Sequence, residues 1–312
     1  MNDNQLLAIF NKKYMLNVYS GTLAIEGILK SLNLRENSKV LISSYVCYSI
    51  LQAIINANLV PVIAIPKNGV TLSKEELDEI LNKEKIAVFI AVHQYGYEQV
   101  IVKKTDLIII EDISQSWNIK LNNRLIGENT DYIICSLGIT KPLSNKIGGV
   151  ILSNYNFIKY FDTKSKECRY LEYPLLNYYY PLNINYKKII NLANKKIRKQ
   201  RKIAGFLNNI FRNYKFITLI DIQESLPSYH RYVIEMSVAD SLKLMPILDK
   251  CQINYQKEYK IKLYETPLAR KYEVPVIGEE NQNIKLLIKT DNKIKKLKKL
   301  KKEMGNLYEK NS

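Results

Sequence analysis

Lys141 is the first residue of this sequence whose type and position could support covalent chemistry. It stands before Pro142 in the segment SLGITKPLSNKIGG (136–149), which joins two strongly apolar stretches. An exposed lysine amine is protonated and unreactive, because its ordinary pKa is about 10.4. Burial or a neighbouring cation lowers that pKa and frees the amine to form a Schiff base. A lone lysine after a strand is more commonly structural or exposed. Whether Lys141 has a catalytic role therefore has to be judged from the residues around it.

Two other groups stand where a parallel sheet usually builds its site. Asp112 ends the apolar run LIIIED (107–112), where an unpaired carboxylate would be costly. It either caps the following turn or holds a proton on a ligand nitrogen. Ser20, Gly21 and Thr22 open a helical segment, whose free N–H groups and hydroxyl can hold a phosphate. The alternative is a plain Ser or Thr N-cap.

A phosphate cradle, a strand-end carboxylate and a strand-end lysine are three of the parts that bind pyridoxal 5′-phosphate (PLP). In order and local sequence the chain resembles the DegT/DnrJ/EryC1/StrS family of sugar aminotransferases, within fold type I. The resemblance lies in four blocks: the segment from SGT to VPVIAI (20–65), VHQYGYEQV (92–100), the segment from IIEDISQ to GGVILSN (109–154), and SYHRYVI (228–234). Their order and spacing carry the match, since no single block would.

The resemblance implies specific roles at the reactive end of the cofactor. Lys141 would form the Schiff base with PLP and then move the proton between the substrate carbon and the cofactor. Asp112 would pair with the pyridine nitrogen and keep it protonated. Gln115 would lie near the ring or its 3-hydroxyl. Some family members carry histidine in place of the lysine and act as dehydratases, so Lys141 argues against that branch.

The resemblance also implies the residues that hold the phosphate and the ring. Ser136 would bind the phosphate together with Gly21 and Thr22. The family commonly has its ring-stacking aromatic residue at the position of Cys47, so Tyr45 or Tyr48 would take over that role here.

The chain departs from the family pattern at the substrate end. It is shorter than typical members, and no G-x-N-x-R segment, which helps form the neighbouring subunit's site, follows the G-G-x-[VI] strand. Ala64 and Ile65 stand where members often have an Asp after the VPV strand. His93 matches the histidine of the V-H-x-Y-G block, and a structural role is as consistent with the pattern as a functional one.

The periodicity of the sequence predicts the elements that would position these residues. Short strands that are apolar on both faces alternate with amphipathic helices through the first 150 residues, which is typical of a mainly parallel sheet covered by helices. We therefore predict an α/β fold: a three-layer α/β/α fold type I PLP-binding large domain over 1–185. A helical linker, with a long basic helix at about 185–213, and a small C-terminal α+β domain would fill 186–312.

The formal charge of +17 is concentrated in the second half of the chain. Residues 1–150 carry 15 Lys and Arg against 14 Asp and Glu, whereas residues 151–312 carry 32 against 16. The runs NKKIRKQRK (194–202) and KIKKLKKLKKE (293–303) could bind a polyanion, or they could be solvated helix faces. The second run repeats Ile294, Leu297 and Leu300 at helical spacing, and no nucleic-acid motif accompanies it, so we favour the solvated helix and expect no nucleic-acid partner.

The sequence also predicts a cellular setting. The four cysteines are far apart and form no metal or disulfide pattern, no run is long enough to span a bilayer, and the N-terminus does not resemble a signal peptide. We therefore expect a cytoplasmic protein with free thiols. Because fold type I enzymes usually build the site between two subunits, the resemblance implies a homodimer.

The leading hypothesis is a PLP-dependent aminotransferase that moves an amino group from a donor such as glutamate to a keto sugar, nucleotide-linked, for amino-sugar and surface-polysaccharide synthesis. One alternative is a fold type I PLP enzyme with a different substrate class. Another is an inactive homologue that serves as a binding or scaffold protein through its basic surface.

Overall fold

The computed structural model describes residues 4–67, 69–121, 124–162, 184–220, 225–258, 261–280 and 282–309. Its helices are α1 (Asn4–Phe10), α2 (Gly21–Ser31), α3 (Tyr48–Asn56), α4 (Lys74–Lys83), α5 (Tyr186–Phe211), α6 (Val238–Lys250), α7 (Pro267–Lys271) and α8 (Ile294–Glu309). The strands are β1 (Tyr14–Val18), β2 (Lys39–Ser43), β3 (Val60–Ala64), β4 (Ile86–Val92), β5 (Ile108–Asp112), β6 (Lys120–Leu121), β7 (Arg124–Leu125), β8 (Tyr132–Ser136), β9 (Gly149–Ser153), β10 (Thr218–Leu219), β11 (Arg231–Met236), β12 (Tyr255–Lys257), β13 (Val276–Ile277) and β14 (Ile284–Lys289).

The large sheet has eight strands in the order β1-β9-β8-β5-β4-β2-β3-β13. The strand pairs β8–β5, β5–β4, β4–β2, β2–β3 and β3–β13 are parallel. Only the β8–β9 and β1–β9 pairs, at one edge of the sheet, are antiparallel. Parallel strands need crossover connections, which α3 and α4 provide, and both faces of such strands are buried. The mainly parallel sheet predicted from the apolar strands is confirmed.

Adjacent residues of one strand enter different cores, which gives the large domain its three layers. On β2, Val40 and Ile42 pack with α2 and α3, whereas Leu41 packs with α4. On β8, Ile134 faces the α2–α3 layer, and Ile133 packs with α1 and the first half of α5. This alternation is the period-two geometry of a strand, and it confirms the α/β/α architecture.

A second core surrounds the four-stranded antiparallel sheet, whose order is β10-β11-β14-β12. The second half of α5, together with α6 and α8, covers this small sheet. Helix α5 therefore joins the two cores, with Ile189 and Ile197 in the first and Leu207 in the second. The chain returns to the large sheet at β13, which pairs with β3.

Several local predictions are confirmed. The predicted helix at about 185–213 is α5, and α4 begins with a capping box formed by Ser73 and Glu76. In α8, Leu297 and Leu300 are fully buried in the core around the small sheet and the lysines between them face outward, which confirms the predicted helix with one apolar stripe. Strands β6 and β7 pair as an antiparallel hairpin, and residues 122–123 between them lie outside the described residues.

Among the described residues, no helix has both the length and the apolar character needed to cross a membrane. The same part of the chain contains no group of His, Cys, Asp and Glu side chains suited to a metal ion.

Candidate active site

Three chain segments meet at one edge of the large sheet and bring the predicted phosphate residues together. In the pairing register, Gly149 at the start of β9 lies between Val18, the last residue of β1, and Ser136, the last residue of β8. Helix α2 begins three residues after Val18, at Gly21. A Cβ atom built on Gly21 would lie 3.0 Å from the Cβ of Ser136. The N-terminus of α2 is therefore packed directly against Ser136.

Gly149 explains how the helix can approach so closely. A Cβ atom at Gly149 would lie 2.7 Å from the carbonyl carbon and oxygen of Ser20 and 2.9 Å from the nitrogen of Gly21. No other residue type fits beside this backbone without moving it. The hydroxyl of Ser20 accepts a hydrogen bond from the Leu23 N–H at 3.1 Å, so Ser20 itself is the N-cap.

A short hydrogen-bond chain connects Ser136 with Asp112. The Ser136 N–H donates to the hydroxyl oxygen of Ser114 at 2.7 Å, and the Ser114 N–H donates to Oδ1 of Asp112 at 2.8 Å. Asp112 is buried at the carboxyl end of β5, next to β8 in the sheet. Ser114 was not predicted as a site residue, although it stands inside the E-D-x-x-Q block.

Lys141 lies in the loop that connects β8 with β9. Its N–H donates to the Gly138 carbonyl at 3.0 Å, and the loop is closed by hydrogen bonds from Leu137 to Gly148 and from Asn145 to Leu137. Lys141 is partly buried, whereas Lys146 in the same loop is exposed.

The pKa of the buried Cys135 thiol depends on the charged groups around it. Burial, followed by the negative charge of Asp112, raises the pKa of Cys135, and the positive charge of Lys141 acts in the opposite direction. Both charged groups therefore lie close enough to act on the same atom at the end of β8.

Gln115 links the strand-end residues to the turn that follows β4. Its Oε1 accepts from the Tyr95 N–H at 3.2 Å, and its Nε2 donates to Oε1 of Gln94 at 3.0 Å. His93 precedes that turn and is 1% exposed. Its backbone N–H donates to the Asp112 carbonyl, and its Nδ1 accepts from the Gln99 N–H at 3.0 Å. These contacts support the structural interpretation of His93.

The two candidates for the stacking aromatic residue have different surroundings. Tyr45 is buried, its hydroxyl donates to Oε2 of Glu258 at 3.2 Å, and Nζ of Lys285 lies 4.8 Å from its ring centroid. Burial and the Glu258 carboxylate raise the pKa of Tyr45. These contacts tie Tyr45 to the small domain. Tyr48 is 45% exposed at the start of α3, so its ring is the more accessible of the two.

The sheet order and the strand-end residues define a protein of the PLP-dependent transferase fold, type I, and solved structures support this. The crystal structure of a DegT/DnrJ/EryC1/StrS aminotransferase from Brucella abortus aligns with 98% of this chain and 88% of its own chain. The sequence identity is 15% and the TM-score is 0.76. The structure of an E. coli GDP-4-keto-6-deoxy-D-mannose-3-dehydratase with bound hydrated PLP aligns with 96% of this chain and 89% of its own chain. The sequence identity is 14% and the TM-score is 0.79. At these identities the likeness concerns the fold.

The sequence profile of the DegT/DnrJ/EryC1/StrS aminotransferase family matches residues 3–160, and the chain belongs to that family. It is 26% identical to a GDP-perosamine synthase from Vibrio cholerae over 153 residues, which are 47% of this chain and 41% of that protein. The corresponding enzyme of Escherichia coli O157:H7 is 25% identical over 150 residues. The matched segment thus spans less than half of either relative.

Aminotransferases of this family bind PLP, and the residues present here fit that group. Because Gly21 and Gly149 have no side chains, the N-terminus of α2 can pack against Ser136. A helix N-terminus in such a place attracts a phosphate. Asp112 would supply a buried carboxylate, and Lys141 would supply the amine.

Proposed function

We propose that this protein is a PLP-dependent aminotransferase that transfers an amino group from an amino acid such as glutamate to a nucleotide-linked keto sugar. Family membership supports the reaction class, and the relatives named GDP-perosamine synthase support a sugar substrate. The product would be an amino sugar for a surface polysaccharide. Lys141, rather than histidine, supports an aminotransferase over a dehydratase.

The observation that carries the proposal is the convergence of the α2 N-terminus, Ser136 and the Lys141 loop at one end of the sheet. Gly21 and Thr22 would donate backbone hydrogen bonds to the phosphate, and the hydroxyl of Ser136 would add another. The positive end of the helix dipole lies at this N-terminus and attracts a negatively charged phosphate.

The remaining residues would act on the ring and on the proton. When bound, PLP supplies the electron sink that stabilises negative charge at the substrate carbon. The Asp112 carboxylate would hold a proton at the pyridine nitrogen. Lys141 would hold the cofactor covalently before the substrate arrives and then move the substrate proton as general base and acid. Gln115 would lie beside the ring, and Tyr48 or Tyr45 would stack on it.

Covalent attachment of the cofactor provides the first test. The purified protein is incubated with PLP, treated with borohydride, which reduces the bond between lysine and cofactor to a stable amine, and digested for mass spectrometry. We expect the cofactor mass on the peptide that contains Lys141, and no attachment in Lys141→Ala. Lys146→Ala is the matched control, since that exposed lysine lies in the same loop and its loss should leave attachment intact.

Amino transfer is tested next. Glutamate should change the visible absorbance of the PLP-loaded protein, and nucleotide keto sugars are then screened for transfer of a ¹⁵N-labelled amino group. Wild-type protein that takes up no cofactor would refute the enzyme proposal. Attachment that persists in Lys141→Ala would refute the role of that residue.

We further propose a cytoplasmic homodimer. The described cysteines Cys47, Cys135 and Cys251 are free thiols, as is usual in a reducing compartment. Ile139 and Ile147, in the loop around Lys141, are largely exposed, and a second subunit would cover them.

A further inference from the structure

Helix α6 presents a row of apolar side chains to solvent. Val238, Leu242 and Pro246 are spaced four residues apart, so they lie along one side of the helix. Val238 is 53% exposed and Leu242 is 61% exposed. Leu242 and Pro246 stand two positions before and after the buried Leu244, which is about 200° around an α-helix. These three residues, which we call the apolar row, therefore face away from the core.

Helix α8 presents a row of lysines in the same way. Each of these lysines stands two positions before or after a fully buried leucine, Leu297 or Leu300, and so lies on the side of the helix opposite the core. They are Lys295, Lys298, Lys299 and Lys302, and all four are exposed. We call them the lysine row.

The charge of the lysine row is not neutralised by the carboxylates around it. Among the described residues, none of its lysines is in a salt bridge, whereas Glu303 and Asp240 each pair with a lysine of α6. Asp249 is the remaining exposed carboxylate of these two segments. Residues 238–250 and 294–306 together carry eight lysines against three carboxylates, so this surface has a strongly positive potential.

Both helices cover the face of the small sheet that points away from the large domain. On the near face, Nζ of Lys285 lies 4.8 Å from the ring centroid of Tyr45. Tyr232 pairs with Ile288, three residues after Lys285, so it lies on the opposite face, where it stacks on Phe211 of α5. Helix α8 contacts both α5 and α6, which places the three helices side by side on that far face. The apolar row and the lysine row therefore point outward on the same side of the molecule.

The two rows together fit one kind of partner. A bilayer with anionic phospholipids offers negative headgroups to the lysines and, just beneath them, an apolar layer to Val238 and Leu242. Nucleic acid offers the negative charge, but its charged backbone gives an apolar row nothing to enter. A second copy that docked through the same surface would place one lysine row against another, and like charges repel.

We propose that the apolar row and the lysine row form a surface that binds this protein peripherally to membranes containing anionic phospholipids. Headgroup phosphates would lie against the lysine row, and Leu242 would enter the boundary between the headgroups and the acyl chains. For the run 293–303, the sequence allows a polyanion as the alternative to a solvated face, and the apolar row on the neighbouring helix favours that alternative. The large domain would lie on the side away from the bilayer, and the inference does not depend on the proposed reaction.

The lysine row is tested by co-sedimentation of the full-length protein with sucrose-loaded vesicles. Vesicles of about two parts phosphatidylcholine to one part phosphatidylglycerol should bind the protein, phosphatidylcholine alone should not, and added salt should weaken binding. Each lysine near an anionic surface raises affinity about fivefold, so the double variant Lys298→Gln, Lys302→Gln should bind about 25-fold more weakly. The control is Lys74→Gln, Lys85→Gln, which removes the same charge from exposed positions of the large domain.

The apolar row is tested by substitution of Leu242. Leu242→Gln should weaken binding to the anionic vesicles about tenfold, because the apolar contact with the bilayer is lost. Leu192→Gln is the matched control: Leu192 is 55% exposed and lies on the first half of α5, which packs in the large domain. Leu242→Trp reports insertion directly. The single tryptophan of the chain, Trp117, is buried, so a blue shift of the emission on anionic vesicles would come from the new indole, and Leu192→Trp should show none.

The outcomes separate the membrane from other partners. Equal binding to neutral and anionic vesicles, or equal losses in the row variants and their controls, would overturn the proposal. A parallel titration uses a DNA duplex: if the lysine variant loses affinity for the duplex and keeps its affinity for vesicles, the partner is nucleic acid and the proposal is wrong. If Leu242→Gln lowers the mass measured by light scattering and leaves vesicle binding unchanged, the apolar row is an interface between copies of the chain, which also contradicts the proposal.

Discussion

The buried histidine His230 has a clear consequence for acid stability. Its folded-state pKa of about 3 lies below the ordinary value of 6.5, because burial and the charges of Arg231, Lys196 and Lys141 disfavour the imidazolium. The unfolded chain therefore binds a proton between these two pH values that the folded chain does not. The stabilising contribution is complete above pH 6.5 and is lost progressively as the pH falls from 6.5 towards 3.

This difference predicts the pH dependence of a substitution. Between pH 7 and pH 5, the wild-type protein should lose about 2 kcal/mol of unfolding free energy through His230, from roughly 1.36 kcal/mol per pH unit below 6.5. Glutamine does not titrate, so His230→Gln should lack this part of the loss. Urea unfolding at both pH values measures the change, and the carboxylates contribute equally to both proteins. Identical losses in the two proteins would show that His230 is not held neutral.

At the scale of elements, the candidate phosphate site depends on how closely the start of α2 approaches the ends of β8 and β9. The contacts of Gly149 with Ser20 and of Gly21 with Ser136 are made by backbone and small side chains. Interiors are close-packed, so an added methyl group at Gly149 must displace the helix start.

We therefore predict that Gly149→Ala lowers both stability and PLP affinity. Overpacking of this kind costs about 1–3 kcal/mol, and the displaced helix would no longer present its N–H groups together with Ser136. Gly205→Ala is the matched control, because Gly205 lies in α5 with nothing within 4 Å of an added Cβ, and alanine favours a helix. Thermal unfolding and PLP titration measure both effects. Gly149→Ala with unchanged PLP affinity would contradict the packing argument.

The sequence predicted the elements that have strong local signals. The apolar stripe that includes Leu297 and Leu300 is a pattern within one helix, and the structure contains it. Strand β1 and the two-residue strand β13 were missed. Both are short edge strands, and their identity comes from pairing with β9 and β3, far away in the sequence.

The same distinction applies to the candidate site. Asp112 and Ser136 end strands and Lys141 follows one, so the pattern and the family resemblance could single them out as candidates. Ser114 could not be identified by role, because its function depends on two hydrogen bonds that form only in the folded sheet. His230 belongs to a block 87 positions or more after the other site residues in the chain, and only folding brings it near Lys141.

At the scale of the whole molecule, two cores share helix α5. The charge asymmetry follows this division. Helices α5 and α8 carry the two basic runs, and their apolar faces are buried in the cores while most of their lysines face outward. The positive charge thus lies largely on the outward faces of α5 and α8, whereas the loop around Lys141 presents apolar side chains.

Those apolar side chains predict where a second subunit binds. Ile139 is 74% exposed and Ile147 is 52% exposed, and they flank Lys141 within one loop. Burying an isoleucine side chain contributes about 1.5–3 kcal/mol, so a charge at Ile139 should weaken an interface that covers this loop. Light scattering should give about twice the chain mass of 36.3 kDa for the wild-type protein. Ile139→Glu should shift the mass towards that of the single chain.

Ile261→Glu is the control, because Ile261 is 60% exposed and comes from the C-terminal region, away from the Lys141 loop in sequence. It should leave the dimer mass unchanged. Since Ile139 is two residues from Lys141, loss of the partner should also lower PLP affinity, and adding protein at higher concentration should restore both together. A wild-type protein that is monomeric while carrying covalently attached PLP would refute the dimer, and the site would then be complete within one chain.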